Sequence, residues 1–374
     1  MDTSAVVAPP YVAGPLHLTP FRGLMLAPSR IGDPSSARAF ARPYTSVASR
    51  LSRWQARGQM HHDTEPALYL HEYTAGGMTI RGLVGLLDLS HRATRIEDAA
   101  VLPHEGIHPA QADDLADRMA EMALNPAPIL LVHRAAPAIR DVLDRLRGGR
   151  PDHSFTDRAD QHHRVWALRD PEQLAVIQEA VAGTRTLIAD GHHRYAAYLR
   201  LQQRRPGSAA DLGLAMLVDH DDTPLFLGAI HRVLSGVRLA DVARAAETIG
   251  AHFVPARPEE AVAALGPSTL VITDGEGWAN LRLDVPQDRA TVEVLHDLVV
   301  PALPRGPRGI THHHSAEDAL GLASPDTAVA VLLPAPDVDL VLRIVASGRL
   351  LPEKATSFQP KPSLGVLIRS LRDG

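Results

Sequence analysis

The sequence predicts an α+β protein with mixed sheets, not a regular strand–helix alternation. Two observations predict it. Three pairs of apolar runs, within residues 67–89, 212–234 and 270–283, are each joined by a turn-rich segment, the signature of hairpins. Around them lie segments with apolar residues at helical spacing, among them 110–124, 138–146, 171–181, 240–249 and 338–346.

In chain order, residues 1–15 are small, apolar and proline-bearing, and read as a disordered lead-in. An N-terminal α+β part follows over 16–97. It has a helix at 46–55 and strands at 67–74 and 78–89, turned by Ala75-Gly76-Gly77. A core over 98–205 comes next. Its helix at 110–124 carries Leu115, Met119 and Met122, and a strand at 129–132, a helix at 138–146 and a strand at 165–168 follow. The helix at 171–181 has proline in its first turn. Leu187, Ile188 and Ala189 form a short strand that stops at Asp190-Gly191, where a helix carrying Tyr195, Tyr198, Leu199 and Leu201 begins. After Arg205-Pro206-Gly207 a C-terminal α+β part runs over 206–374. Strands at 212–218 and 225–234 flank Asp219 to Asp222 as a hairpin, and helices cover 240–249 and 258–265. A third hairpin joins 270–273 to 279–283, followed by a helix at 292–303, a strand at 329–333 and a helix at 338–346.

Composition excludes several classes. A chain of 374 residues suits two or three domains, and its 45% hydrophobic and 22% charged content is that of a soluble protein. No apolar run is long enough to span a membrane, and the start lacks a signal-peptide pattern, so a cytoplasmic location is expected. The absence of cysteine excludes disulfides, thiolate metal sites and cysteine nucleophiles. A net charge of −5 without a long basic run argues against nucleic acid as a partner. The twenty histidines accompany abundant Ala, Arg, Pro and Asp, as codon bias in a GC-rich genome produces, so their number alone does not imply a metal.

Asp190-Gly191-His192-His193-Arg194 is the most informative stretch. It places His192, His193 and Arg194 in a first helical turn, where unpaired N–H groups and the helix dipole already favour an anion. Acids usually occupy such a turn, so three donors there point to a bound phosphate. Gly191 permits a close backbone approach and Arg194 offers a bidentate fork. The plain alternative is a helix capped by Asp190 with its histidines in water.

Pro103-His104-Glu105-Gly106-Ile107-His108-Pro109 matches His-Glu-x-x-His, the zinc-protease pattern. That chemistry needs both histidines on one face of a helix. Two flanking prolines and an internal glycine oppose a helix over 104–108. Glu105 is instead a loop carboxylate, either a general base or metal ligand or an acid in water. His312-His313-His314 alternate faces if extended, so they do not converge on one metal, and the pairs His61-His62 and His162-His163 are given no role. In the irregular tail, Lys354, Thr356 and Lys361 are candidates for the wall of an anion site.

From about residue 15 to its end, the chain resembles a bacterial and archaeal family classed as a conserved domain of unknown function. The matching segments are Pro20-Phe21-Arg22-Gly23, Pro66-Ala67-Leu68-Tyr69, Pro103-His104-Glu105, the stretch from Ala189 to Tyr195, His231-Arg232-Val233, Leu295-His296-Asp297 and the 352–361 tail. The middle unit is similar to the ParB/sulfiredoxin-like superfamily, whose members hold nucleotide phosphates on a Gly-x-x-Arg box, here Gly191 to Arg194. Free-serine kinases share both a Pro-His-Glu box, whose glutamate is the proposed base, and Asp-Gly-His-His-Arg.

The chain departs from the family at four places. It reads Ala41-Arg42-Pro43-Tyr44-Thr45 for Ala-Pro-Pro-Tyr-Asp, and Ile107 where threonine is common. Asp113-Asp114-Leu115, with Arg118 displaced, replaces an Asp-Arg pair, and Pro352-Glu353-Lys354-Ala355-Thr356 replaces Pro-Pro-Lys-Ser-Thr.

The resemblance implies a nucleotide-dependent phosphotransferase acting on a small hydroxyl substrate such as free L-serine, with ATP or ADP and Mg²⁺. Glu105, His104 and His193 would be catalytic, and Asp190, Gly191, His192, His193 and Arg194 would bind phosphate. The alternative is a nucleotide-sensing regulatory or partner-binding protein without turnover. A sulfiredoxin-type reductase is excluded by the missing cysteine, and no helix-turn-helix or basic domain follows the core for DNA partitioning.

Overall fold

A computed structural model describes residues 6–34, 36, 40 and 47–373. The Ala41-to-Thr45 departure lies outside the described residues. The α+β class with mixed sheets holds. The chain divides into two compact units, Met1–Leu225 with Pro360–Gly374, and Phe226–Gln359.

An eleven-stranded mixed sheet organises the first unit. Leu68–Ala75 and Met78–Asp88 form the expected hairpin, with Gly76 and Gly77 both at positive φ (56° and 78°), as a two-residue turn between twisted strands requires. Met78–Asp88 then pairs antiparallel with Leu212–Asp219. Leu212–Asp219 runs parallel to Ile129–His133, so it lies in mid-sheet and forms no hairpin with the apolar run that follows it. Both of its faces are buried, and its near-continuous apolar sequence fits that position better than a hairpin arm.

Next come Thr186–Asp190, antiparallel to Ile129–His133, and Ala99–Leu102, parallel to Thr186–Asp190 with Thr186 beside Val101 and Leu187 beside Leu102. Tyr11–Ala13, inside the expected lead-in, pairs with Ala99–Leu102 and Arg92–Ala93. The sheet thus draws strands from both sides of the boundaries expected at 97/98 and 205/206. Ile368–Ser370 returns at the end of the chain to pair with Gly23–Leu26 and Leu124–Asn125 in a four-stranded sheet. The main core, including Leu83, Leu131, Ile188, Tyr195, Leu199 and Leu217, lies between the large sheet and its helices.

The second unit has a six-stranded antiparallel sheet in the order His252–Pro255, Trp278–Arg282, Thr269–Thr273, Ala328–Leu332, His231–Ser235, Gly309–His313. The hairpin expected around Asp274 to Gly277 is present. The helix expected at 292–303 forms with a π-helical turn over Leu295–Val299. The run expected as one strand at 225–234 splits into Phe226–Ala229, paired with Thr356–Gln359, and His231–Ser235.

Candidate active site

Two parallel neighbours build the site. Ala99–Leu102 and Thr186–Asp190 run side by side, so the loops leaving their carboxyl ends emerge at the same edge of the sheet. One loop carries Pro103-His104-Glu105 and the other carries 190–194, so residues about 85 apart in sequence meet. Ligand crevices in α/β sheets form at such carboxyl ends.

The 103–108 loop is not helical, and the following helix starts at Pro109 (Pro109–Met122) with His108 as its N-cap. Each histidine of the His-Glu-x-x-His pattern turns instead to a histidine of the other box. The His104 main-chain N–H donates to His192 Nε2 (3.3 Å), and that of His108 donates to His193 Nε2 (3.1 Å). The His104 and His192 rings meet edge-on at 4.6 Å, and those of His108 and His193 stack at 6.0 Å. A ring nitrogen that accepts an N–H carries no proton, so His192 and His193 are neutral in this arrangement. Burial holds His192 well below its ordinary pKa, helped by His104, His193 and Lys361. His104 is pushed down to about 4 by burial, which outweighs the opposing influence of the Ile188 main chain.

Glu105 follows His104 on this loop, its side chain 15% exposed and its Oε1 3.8 Å from His104 Nε2. A carboxylate beside a neutral imidazole, open to solvent on one side, can take a proton from a hydroxyl.

Gly191, not Asp190, caps the helix His192–Arg204, with φ +97°. A Cβ there would sit 3.0 Å from the Arg194 guanidinium, which folds back over the glycine. Arg194 is bonded to Asp190 and donates to the Pro128 carbonyl (2.6 Å). Lys361 Nζ reaches the second Asp190 oxygen (2.5 Å). Burial opposes ionisation of Asp190, but Arg194 and Lys361 outweigh it and hold its carboxyl below the usual range. Asp190 thus holds two cations, Arg194 and Lys361, beside the helix N-terminus.

Lys361 owes its position to the tail. Gln161 Nε2 donates to the Lys361 carbonyl (3.0 Å), the Ser363 N–H donates to Gln161 Oε1 (3.1 Å), and the Tyr73 hydroxyl donates to the Pro360 carbonyl (2.7 Å). Beside Tyr73 a buried chain links His71 Nε2 to His163 Nδ1 and His163 Nε2 to Asp157 Oδ2, each at 3.0 Å. Local sequence gave no sign of Tyr73 or Gln161, because only sheet pairing brings them under the tail. Lys354 and Thr356 belong to the second unit. There the fully buried Arg232 donates to the carbonyls of Glu353 (3.2 Å) and Lys354 (3.0 Å), and Thr356 pairs with Ala229.

Two departures have structural explanations. Ile107 is buried with Ala112 and Ala196 between the helices Pro109–Met122 and His192–Arg204, so an apolar side chain there fills a core position. Asp113 pairs with Arg200 (2.5 Å) and Arg204 (3.5 Å), tying the same helices together.

No curated protein matches the chain. Among solved structures it is similar to a free serine kinase in complex with AMP, with 16% identity and a TM-score of 0.39 over 72% of this chain and 88% of that one. It is also similar to C-terminally truncated SbnI from Staphylococcus aureus, with 12% identity and a TM-score of 0.44 over 76% and 87%. A conserved hypothetical protein from Pyrococcus furiosus has 16% identity and a TM-score of 0.38 over 73% and 93%. Among the described residues, no helix is long and apolar enough to cross a membrane. The family described as "Protein of unknown function (DUF1015)" matches residues 20–337, most of the chain, and the chain belongs to that family.

Proposed function

We propose that the chain is a nucleotide-dependent phosphotransferase acting on a small hydroxyl substrate, with free L-serine the first candidate. The observation that carries this assignment is the meeting of the loop that bears Glu105 with the 190–194 box at one sheet edge, joined by the 104–192 and 108–193 histidine contacts. The resemblance of the two boxes to those of free-serine kinases names the substrate class.

Phosphoryl transfer is mainly positioning and charge stabilisation. The main-chain N–H groups of the first helical turn, with Lys361 and Arg194, would hold the nucleotide phosphates. The acceptor oxygen bonds to the terminal phosphorus, the bond from phosphorus to the leaving nucleotide oxygen breaks, and the hydroxyl proton passes to Glu105. His192 and His193, neutral and tied to the 103–108 loop, position Glu105 and leave the charge of the transferred group to the cations. Both Asp190 oxygens are engaged and Glu105 serves as the base, so Mg²⁺ would be carried in with the nucleotide rather than held by Asp190. When bound, it would offset phosphate charge.

The test incubates purified chain with ATP, ADP or pyrophosphate, Mg²⁺ and pooled amino acids, with nucleotide binding followed by calorimetry. A phosphorylated hydroxyl product is expected. Binding without product would make the site a sensor, and neither binding nor product would remove the assignment altogether.

A further inference from the structure

We propose that His61, Asp63 and His153 form a binding site for one divalent transition-metal ion of the zinc type, away from the two boxes. One ligand atom from each residue lies within 4.8 Å of the other two. His61 and Asp63 stand two apart on extended backbone leaving the strand Met60–His62, and the Asp63 N–H continues the pairing by donating to the Gly23 carbonyl (3.0 Å). That spacing puts both side chains on one face. His62, between them, points elsewhere and pairs with Asp373 (2.9 Å). His153 opens the strand His153–Thr156 in the other sheet of the same unit.

The carboxylate is already oriented as a ligand. Asp63 Oδ2 accepts from the Tyr69 hydroxyl (2.6 Å) and lies 3.5 Å from Arg169 Nη2, while Oδ1 faces His61 Nε2 (3.1 Å). The Tyr69 hydroxyl is itself fixed, accepting from the Gly23 N–H (2.8 Å), and its ring is buried. Such outer hydrogen bonds set the direction of metal-binding carboxylates. The His61 and His153 rings approach to 5.0 Å, and His61 is 56% exposed, which leaves a route in and room for water on the ion. Ligand atoms around a tetrahedral zinc stand about 3.3 Å apart, so small side-chain rotations close this set on an ion. Two imidazoles with one carboxylate suit zinc and its neighbours better than Mg²⁺ or Ca²⁺, which take oxygen ligands.

The test uses full-length chain without an affinity tag, stripped with chelator, then titrated with Zn²⁺ by calorimetry and with Co²⁺ by visible absorption. One Zn²⁺ per chain is expected, together with Co²⁺ bands showing nitrogen and oxygen ligands. His61→Ala and His153→Ala should each weaken binding at least tenfold, and Zn²⁺ should raise the melting temperature of the parent but not of His61→Ala. His61 is solvent-exposed, so that variant keeps the fold, and a parallel melt checks it. His312→Ala/His313→Ala should bind as the parent does. Equal binding by the parent and His61→Ala, or no binding by the parent, overturns the site. None of these readouts depends on phosphoryl transfer.

Discussion

The 190–194 box and the 312–314 run both carry consecutive histidines, and they end in opposite circumstances. At the helix start, consecutive residues fan out over one side, so His192 and His193 both reach the 103–108 loop and accept its N–H groups. On the edge strand Gly309–His313 the same repetition disperses the side chains. His313 Nε2 meets Thr311 Oγ1 (2.8 Å), His312 lies near Arg232, and His314 Nδ1 meets Ser357 Oγ (3.0 Å). Backbone geometry, not histidine count, decides which cluster can assemble a site.

The largest expected effect that would break this contrast is in turnover. Glu105→Gln should lower phosphoryl transfer at least about 100-fold, the usual scale for a general base, with nucleotide affinity retained. Equal loss of both would show that Glu105 serves binding.

His192→Ala empties a buried contact between the loops and should cost roughly 2–4 kcal/mol in denaturant unfolding, whereas His313→Ala should stay within about 0.5 kcal/mol. Similar values for the two would erase the distinction.

Gly191→Ala forces a side chain into φ +97° against Arg194, at a cost of about 1–3 kcal/mol. A neutral result would mean that the turn relaxes freely.

Acid should act on the box, and also on His312 of the strand, which burial pushes down to about 4 as well. His104 has a folded pKa of about 4 against an ordinary 6.5. Between those values the unfolded chain takes up a proton that the folded chain refuses. This contribution is complete above pH 6.5 and is lost as pH falls toward 4, a loss that His104→Asn should reduce.

A small effect on stability is expected at Lys361→Ala. Its pair with Asp190 is half exposed and adds no more than about 1 kcal/mol, so weaker nucleotide binding should be the main change.

Much of this was legible in the sequence. The strand–turn–helix at 186–204 and the proline-bracketed loop at 103–109 follow from short-range rules for glycine, proline and apolar period, and both stand close to where those rules put them. The partners were not legible. Nothing near His192 says that its ring accepts the His104 N–H, because that contact depends on the parallel pairing of strands about 85 residues apart. The three donors seen at the helix start proved to be two neutral acceptors and an arginine already bonded to Asp190. The supposed hairpin at 212–234 failed because apolar runs alone do not identify a strand's neighbour. Tail residues that look alike in sequence separated, Lys361 going to the box and Lys354 to the second unit.

The most direct measurement is a structure of the chain with a bound nucleotide and a serine analogue. The two boxes, acting as one transfer centre, should hold the terminal phosphate against the main-chain N–H groups of His192 to Arg194 and Lys361 Nζ, with the acceptor hydroxyl within hydrogen-bond reach of Glu105. Nucleotide bound elsewhere, with the boxes empty at saturation, would contradict the assignment.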